Sequence, residues 1–320
     1  MNSGNVKVSV IIITYNHEKY IAQAIESVLL QRNVSFEIII GDDASTDHTP
    51  EIVKAYARKY PNLIRAFLRE KNLGPTRNAY ECLKYAQGKY IAACEGDDFW
   101  CDTDKLRKQA DFLDCHDEYS AVASDIYIVD ENGIPWSDMK KLRWISKRRD
   151  YRLRDFRGIF LPGHPNSLMR RNFYLDKSFE SELIWRADPY IGDRTTALQW
   201  VCRGRIYRID EKLSCYRCVR TNGHDNLTSF LFGGNIDYER ELNYTSVLEK
   251  YAMSQTGKKV YFDYHRAEML LSALKTGKKS DALLVLHQIK RPIMLPVFFV
   301  EIVVSRIKEM INNIHCLEVI

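Results

Sequence analysis

Four runs of apolar residues, "VKVSVIIIT" (6–14), "FEIIIG" (36–41), "LIRAFL" (63–68) and "KYIAAC" (89–94), proceed with little polar alternation. Continuous apolar character over five to eight residues is the pattern of a strand covered on both faces, as in a parallel sheet. Between the runs lie "EKYIAQAIESVLLQ", "TPEIVKAYARKY" and "TRNAYECLKYAQG", whose apolar residues recur at helical spacing. Thr49 before Pro50 predicts a helix start, and Gly88 a helix stop. Parallel strands need helical, right-handed crossovers, so the first 115 residues are expected to form a doubly wound α/β sheet. Two of the strands end on adjacent carboxylates, Asp42–Asp43 and Asp97–Asp98. Ligands of open α/β sheets bind beyond the carboxyl ends of strands, which is where both pairs fall. Helix capping accounts for one acidic residue at such a place but does not call for two, twice.

A chain of 320 residues with 45% hydrophobic composition can bury one large core or two modest ones. Its net charge of +5, from 47 basic and 42 acidic residues, is too even for a dedicated nucleic-acid binder. The N-terminus lacks the basic region, long apolar stretch and small-residue site of a secretory signal, so the expected location is the cytoplasm. Eight cysteines, scattered singly apart from Cys215 and Cys218, fit reduced thiols in a chain this long, and a zinc site would need a second ligand pair better than His224 with Cys202. No stretch reaches the roughly 18–20 apolar residues of a membrane span. "PIMLPVFFVEIVV" (292–304) comes nearest, and it reads either as a helix packed on the protein's own core or, given its basic flanks, as one lying on the inner face of a membrane.

Residues 116–235 are expected to be irregular, with short strands at "YSAVASDIYIVD", "GRIYRID" and "KLSCYR" and a basic run over 140–157. That run reads as a solvated face or as a loop attracting an anionic acceptor. From 236 onward the pattern is mainly helical, and the chain divides into 1–235 (halves 1–115 and 116–235) and a helical extension, 236–320. Carboxylates only accept hydrogen bonds. One pair could therefore read a nucleoside while the other holds Mn²⁺ or Mg²⁺, hard cations that favour oxygen ligands and bridge phosphates. No Gly-rich phosphate loop follows the first strand.

Four segments, "SVIIITYNHEKYIAQAIESVLLQ", "EIIIGDDASTDHT", "NLGPTRNAYECLKYAQGKYIAACEGDDFW" and "IGDRTTALQWVCRG", together resemble the family 2 glycosyltransferases of the GT-A fold over residues 6 to about 230. The resemblance implies an inverting enzyme using a nucleotide-sugar donor, most simply a UDP-sugar. It implies that Tyr15 stacks on the base, Asp43 accepts from the base and Arg77 lies near the nucleotide. Asp97 would face the ribose, Asp98 would ligate the metal, and Asp193 would be the general base, taking the acceptor hydroxyl's proton as the new bond forms. The family often has a second acidic residue where this chain has Gly192.

Two histidines join the candidates. His224 stands where related enzymes supply a further metal ligand or a diphosphate contact, and His164, in "LPGHPNSLMRR", lies in a Gly/Pro loop that in the family approaches the acceptor, or is an ordinary turn residue. The Q-x-x-R-W signature of processive synthases is absent, so a single addition to a glycan or lipid-linked acceptor of a bacterial surface polysaccharide is expected. Peripheral membrane association and a homodimer are admitted as partners' arrangements, without a heptad pattern to support the second. Other readings are a nucleotidyltransferase, against which the lack of a Gly-rich, Lys-bearing loop argues, and a catalytically silent glycan- or nucleotide-binding subunit.

Overall fold

The structure is a computed structural model describing residues 6–135, 145–218 and 236–315. It forms two compact units, one of residues 1–155 with 160–234 and one of 156–159 with 235–320.

The first unit is built on a nine-stranded mixed sheet. Strands β1 (Val8–Thr14), β2 (Phe36–Asp42), β3 (Ile64–Leu68) and β4 (Tyr90–Glu95) run parallel, joined through helices α1 (Ile21–Leu29), α2 (Thr49–Lys59) and α3 (Pro75–Leu83). The period-2 geometry of a strand explains their apolar sequences. Val8, Val10 and Ile12 pack with Ile21, Ile25 and Val28 on one face, while Ile11 packs with Tyr80, Leu83 and Ile91 on the other. Burying one such side chain stabilises the fold by roughly 1.5–3 kcal/mol.

Beyond β4 come β5 (Phe99–Trp100), α4 (Lys105–Cys115), β6 (Tyr119–Val129), β7 (Asp150–Tyr151), β8 (Met169–Arg171), α5 (Leu183–Arg186), α6 (Gly192–Val201) and β9 (Arg205–Arg217). Their order, β3-β2-β1-β4-β8-β6-β9-β5 with β7 beside β9, turns the sheet antiparallel at β8. The two short strands expected at "GRIYRID" and "KLSCYR" are one long strand, β9, whose register against β6 shifts around Asp125. Two punctuation marks also differ from expectation. Thr49 is the first helical residue and not the cap, its hydroxyl accepting from the His17 N–H instead. Gly88 lies beyond the end of α3; a Cβ there would come within 2.5 Å of Ser9 N, so the glycine serves a close approach to β1.

In the second unit, α7 (Tyr238–Thr256) starts at Asp237, whose carboxylate accepts from Arg240 N–H, and stops at Gly257 with φ of 66°. Helices α8 (Asp263–Lys275), α9 (Lys279–His287) and α10 (Leu295–His315) follow. Leu242, Leu270, Ala273 and Val285 form its core, and a buried Arg266 pairs with Glu249 and Asp263.

Candidate active site

The parallel strands β1, β2 and β4 deliver their carboxyl ends side by side, and cross-connections between loops hold them there. Gly96 N–H donates to Ile13 O and Asp43 N–H to Thr14 O, both at 3.0 Å. Asn16 and Ala44 adopt left-handed backbone conformations, with φ of 56° and 62°. Asn16 N–H donates to the Ser45 hydroxyl, and its side-chain oxygen accepts from Thr46 N–H. Asp47 accepts from Glu18 N–H and Thr49 N–H. The acidic string "DDASTD" is therefore largely a set of loop ties.

The predicted base-reading Asp43 is buried, and both of its oxygens accept backbone N–H groups, from Leu73 at 2.8 Å and Gly74 at 2.9 Å. Burial raises its pKa, against those two hydrogen bonds and the nearby Arg69, which lower it. In this structure its demonstrable task is to pin the loop into α3. Tyr15, by contrast, is 44% exposed just beyond the end of β1. Arg77 is committed to its own surroundings. Its guanidinium lies 4.0 Å from the Trp185 ring centroid and 2.7 Å from Glu81.

At the end of β4 the carboxylates converge. Glu95, Asp98 and His164 bring their ligand atoms within 4.8 Å of one another, the one such metal-competent group among the described residues. Asp98 is buried; its Oδ1 accepts from Arg217 N–H at 2.8 Å, whereas Oδ2 has no hydrogen-bond partner and lies 3.9 Å from His164 Nδ1. Its pKa is raised well above the carboxylate range, first by burial, then by Asp97 and Glu95. Glu95 is pushed up to about 8, first by burial, then by Asp97 and Asp193. Burial pushes His164 down to about 3, which keeps its imidazole neutral, as a metal ligand requires. Nδ1 accepts from Asn166 N–H at 3.3 Å. An orphaned buried carboxylate oxygen, acids destabilised by each other and a neutral imidazole fit a divalent cation bound through oxygen and nitrogen.

Asp97 keeps its carboxylate partly exposed, 3.9 Å from His17 Nε2. The ring of His17 is turned by Thr14 Oγ1, 3.3 Å from its Nδ1. A side chain at Gly96 would meet both, with a Cβ 2.6 Å from Thr14 Oγ1 and 2.8 Å from His17 Nδ1. Glycine is thus required for β4's end to lie against β1's. Asp193, on the first turn of α6, acts electrostatically on Glu95 and so shares its site. At Gly192 a Cβ would lie 3.0 Å from Thr76 Cγ2 on α3, a tight contact.

Arg217 organises this site from β9. From 120 residues away in sequence its Nε donates to Asp97 O, while its Nη1 donates to Glu131 O and its Nη2 to Gln23 Oε1. Sequence reading passed over Arg217, for which no local signal exists, and also Glu95 and His17, which stood within the quoted segments "CEGDD" and "TYNHEKY". His224 lies outside the described residues. The basic run is less available than expected. Arg148, Arg149, Arg152 and Arg157 pair with Asp155, Asp210, Asp150 and Glu301.

Residues 9–176 match the family described as "Glycosyl transferase family 2". The chain belongs to that family. The expected GT-A sheet is likewise present: the Staphylococcus aureus TarS fragment 1–349 in complex with UDP-GlcNAc superposes with a TM-score of 0.57 over 98% of this chain and 91% of that one, at 19% identity. Among related sequences, "Uncharacterized protein Rv1520" of Mycobacterium tuberculosis is 34% identical over 219 residues, 65% of this chain and 58% of that protein. "Putative glycosyltransferase EpsE" of Bacillus subtilis is 41% identical over 134 residues, covering 42% of this chain and 48% of that protein. This family 2 glycosyltransferase chain thus spans little more than half the length of its mycobacterial relatives.

Proposed function

We propose that the protein is an inverting, metal-dependent glycosyltransferase that moves a sugar from a UDP-sugar to a glycan or lipid-linked acceptor during bacterial surface polysaccharide synthesis. The observation that carries this reading is the convergence of Glu95, Asp97, Asp98 and Asp193 with His164 at the carboxyl edge of the parallel sheet. Support for the donor comes from TarS, whose fold is similar and whose structures hold UDP and UDP-GlcNAc. Support for the pathway comes from the names of relatives such as "Putative teichuronic acid biosynthesis glycosyltransferase TuaG" of Bacillus subtilis.

Tyr15 offers its exposed ring to the base, and Asp43 shapes that pocket by holding Leu73 and Gly74. Glu95, Asp98 and His164 would hold Mn²⁺ or Mg²⁺. When bound, the cation supplies positive charge to the departing nucleoside diphosphate. Asp97, steadied through the peptide oxygen that accepts from Arg217, faces the donor ribose. Asp193 removes the proton of the acceptor hydroxyl as that oxygen attacks the anomeric carbon, and this single displacement inverts the centre.

A thermal-shift screen against UDP, GDP, TDP and CDP, each with Mn²⁺, Mg²⁺ or chelator, tests the donor site, because ligands that bind the native state alone raise the melting temperature. UDP with a divalent cation is expected to give the largest shift, and no shift with any nucleotide would refute the donor assignment. Asp193→Asn should keep that shift while transfer or donor hydrolysis falls by about 10²–10⁴. Unchanged turnover would remove Asp193 from the base role, and nucleotide binding with no turnover in the parent would favour the silent-subunit reading.

A further inference from the structure

We infer that the second unit docks on an anionic lipid surface through the outer face of α10 and the turn before it, an inference independent of the donor and metal assignments. The inner face of α10 is covered, with Phe298 and Ile302 buried and Leu295 and Phe299 packed on the unit's core. The outer face is apolar as well. Ile293 is 85% exposed, Val300 63% and Val303 50%, and Val297, Val304 and Ile307 are exposed beside them. Positions 297, 300, 304 and 307 follow helical spacing, so they form one stripe. A surface helix ordinarily turns a polar face to water, and one that is apolar all round has a second apolar medium against it. The acidic side chain in this stretch, Glu301, is neutralised by Arg157 at 2.9 Å.

Charge selects the occupant. Residues 275–315, from the end of α8 through α10, contain seven basic side chains (275, 278, 279, 290, 291, 306 and 308) and three acidic ones (281, 301 and 309), a net of +4 and most of the chain's +5. Arg291 is paired with the buried Asp263. Lys275, Lys278, Lys279 and Lys290 precede the apolar stripe in the chain and Arg306 lies within it, and basic residues flanking an apolar face favour anionic membranes. A second copy of the chain would oppose one +4 segment with another. No single helix among the described residues is long and apolar enough to cross a bilayer. The combination of α9 with residues 292–307 is bent by 117°. Leu283 and Leu286 on α9 are exposed too, adding apolar area next to the bend.

Co-sedimentation of the full chain with vesicles of phosphatidylglycerol and phosphatidylcholine in equal parts, and with phosphatidylcholine alone, tests this. Binding is expected to favour the anionic vesicles at least tenfold and to fall at least tenfold in Val300→Asp/Val304→Asp. Both positions are exposed, so the variant's melting temperature should match the parent's and confirm folding. Lys279→Glu/Lys290→Glu should weaken binding to anionic vesicles alone. The inference is overturned if the parent binds neither vesicle, or if the double Asp variant binds equally well. It is also overturned if light scattering shows a dimer that the double Asp variant dissociates without any effect on vesicle binding.

Discussion

Replacing Lys105 with Met should change stability in opposite directions at neutral and alkaline pH. Lys105 is fully buried on α4, where its ammonium donates to Gln109 Oε1 at 2.8 Å and lies 4.3 Å from the Trp100 ring centroid. Burial pulls its pKa down from 10.5 to about 7, against weaker upward pulls from Cys94, Cys101 and Asp102. Between those two values the unfolded chain holds a proton that the folded chain has released, so stability rises with pH across the window. At about 1.4 kcal/mol per pH unit the full swing is about 5 kcal/mol. Methionine keeps the apolar stem and removes the amine. It also deprives Gln109 of its donor, at about 1–3 kcal/mol; the cation over Trp100 adds no further loss, because the folded amine is largely neutral above about pH 7. Lys105→Met is therefore expected to be about 2 kcal/mol more stable than the parent near pH 7, equal near pH 9 and about 1 kcal/mol less stable near pH 10. Calorimetric melting of both proteins over this range would show the curves crossing, with separations of roughly 2–4 °C per kcal/mol. Parallel curves would refute the reasoning, because they would mean that water reaches the amine and its pKa is ordinary.

Glu95→Gln should raise the melting temperature of cation-free protein more at pH 8 than at pH 5. The folded pKa, about 8, lies above the ordinary 4.5, so this group's contribution is present at low pH and lost as pH rises through 8. Discounted for partial exposure, the gain is on the order of 1–3 kcal/mol, and saturating Mn²⁺ should erase it; equal gains at both pH values would count against the carboxylate cluster. Arg217→Met leaves the carbonyl oxygens of Asp97, Asp130 and Glu131 and the Gln23 side chain without their donors. A loss of about 3–5 kcal/mol in denaturant unfolding is expected, with Arg217→Lys recovering little because an ammonium lacks the fork; a loss under 1 kcal/mol would show the network to be dispensable.

Much of the first unit was legible in the chain because its signals are local. An apolar run of five residues flanked by amphipathic stretches has few ways to bury itself, and β1 to β4 with α1 to α3 follow from that. The carboxyl edge as the site follows from topology, and so Asp97 and Asp98 could be named in advance as candidates, whereas Asp193 came from the family resemblance alone. Reading "GRIYRID" and "KLSCYR" as separate strands failed at "DEK" because β9 continues through a charged exposed stretch while pairing with β6, an interaction no local pattern reports.

The sequence alone determined which residues are apolar, where the turns fall and which strand ends carry acids, since these depend on neighbours within a few positions. What each acid does was decided by tertiary structure. Asp43 became a loop anchor because residues 73 and 74 fold back onto it, while Asp98 kept an unpartnered oxygen beside its chain neighbour Glu95, where His164 arrives from another segment. Arg217 gained its place from a contact across 120 residues. Burial and the convergence of charged groups from distant segments exist only once those segments have met, and they separate an acid that holds a loop from one whose oxygen is left unpartnered.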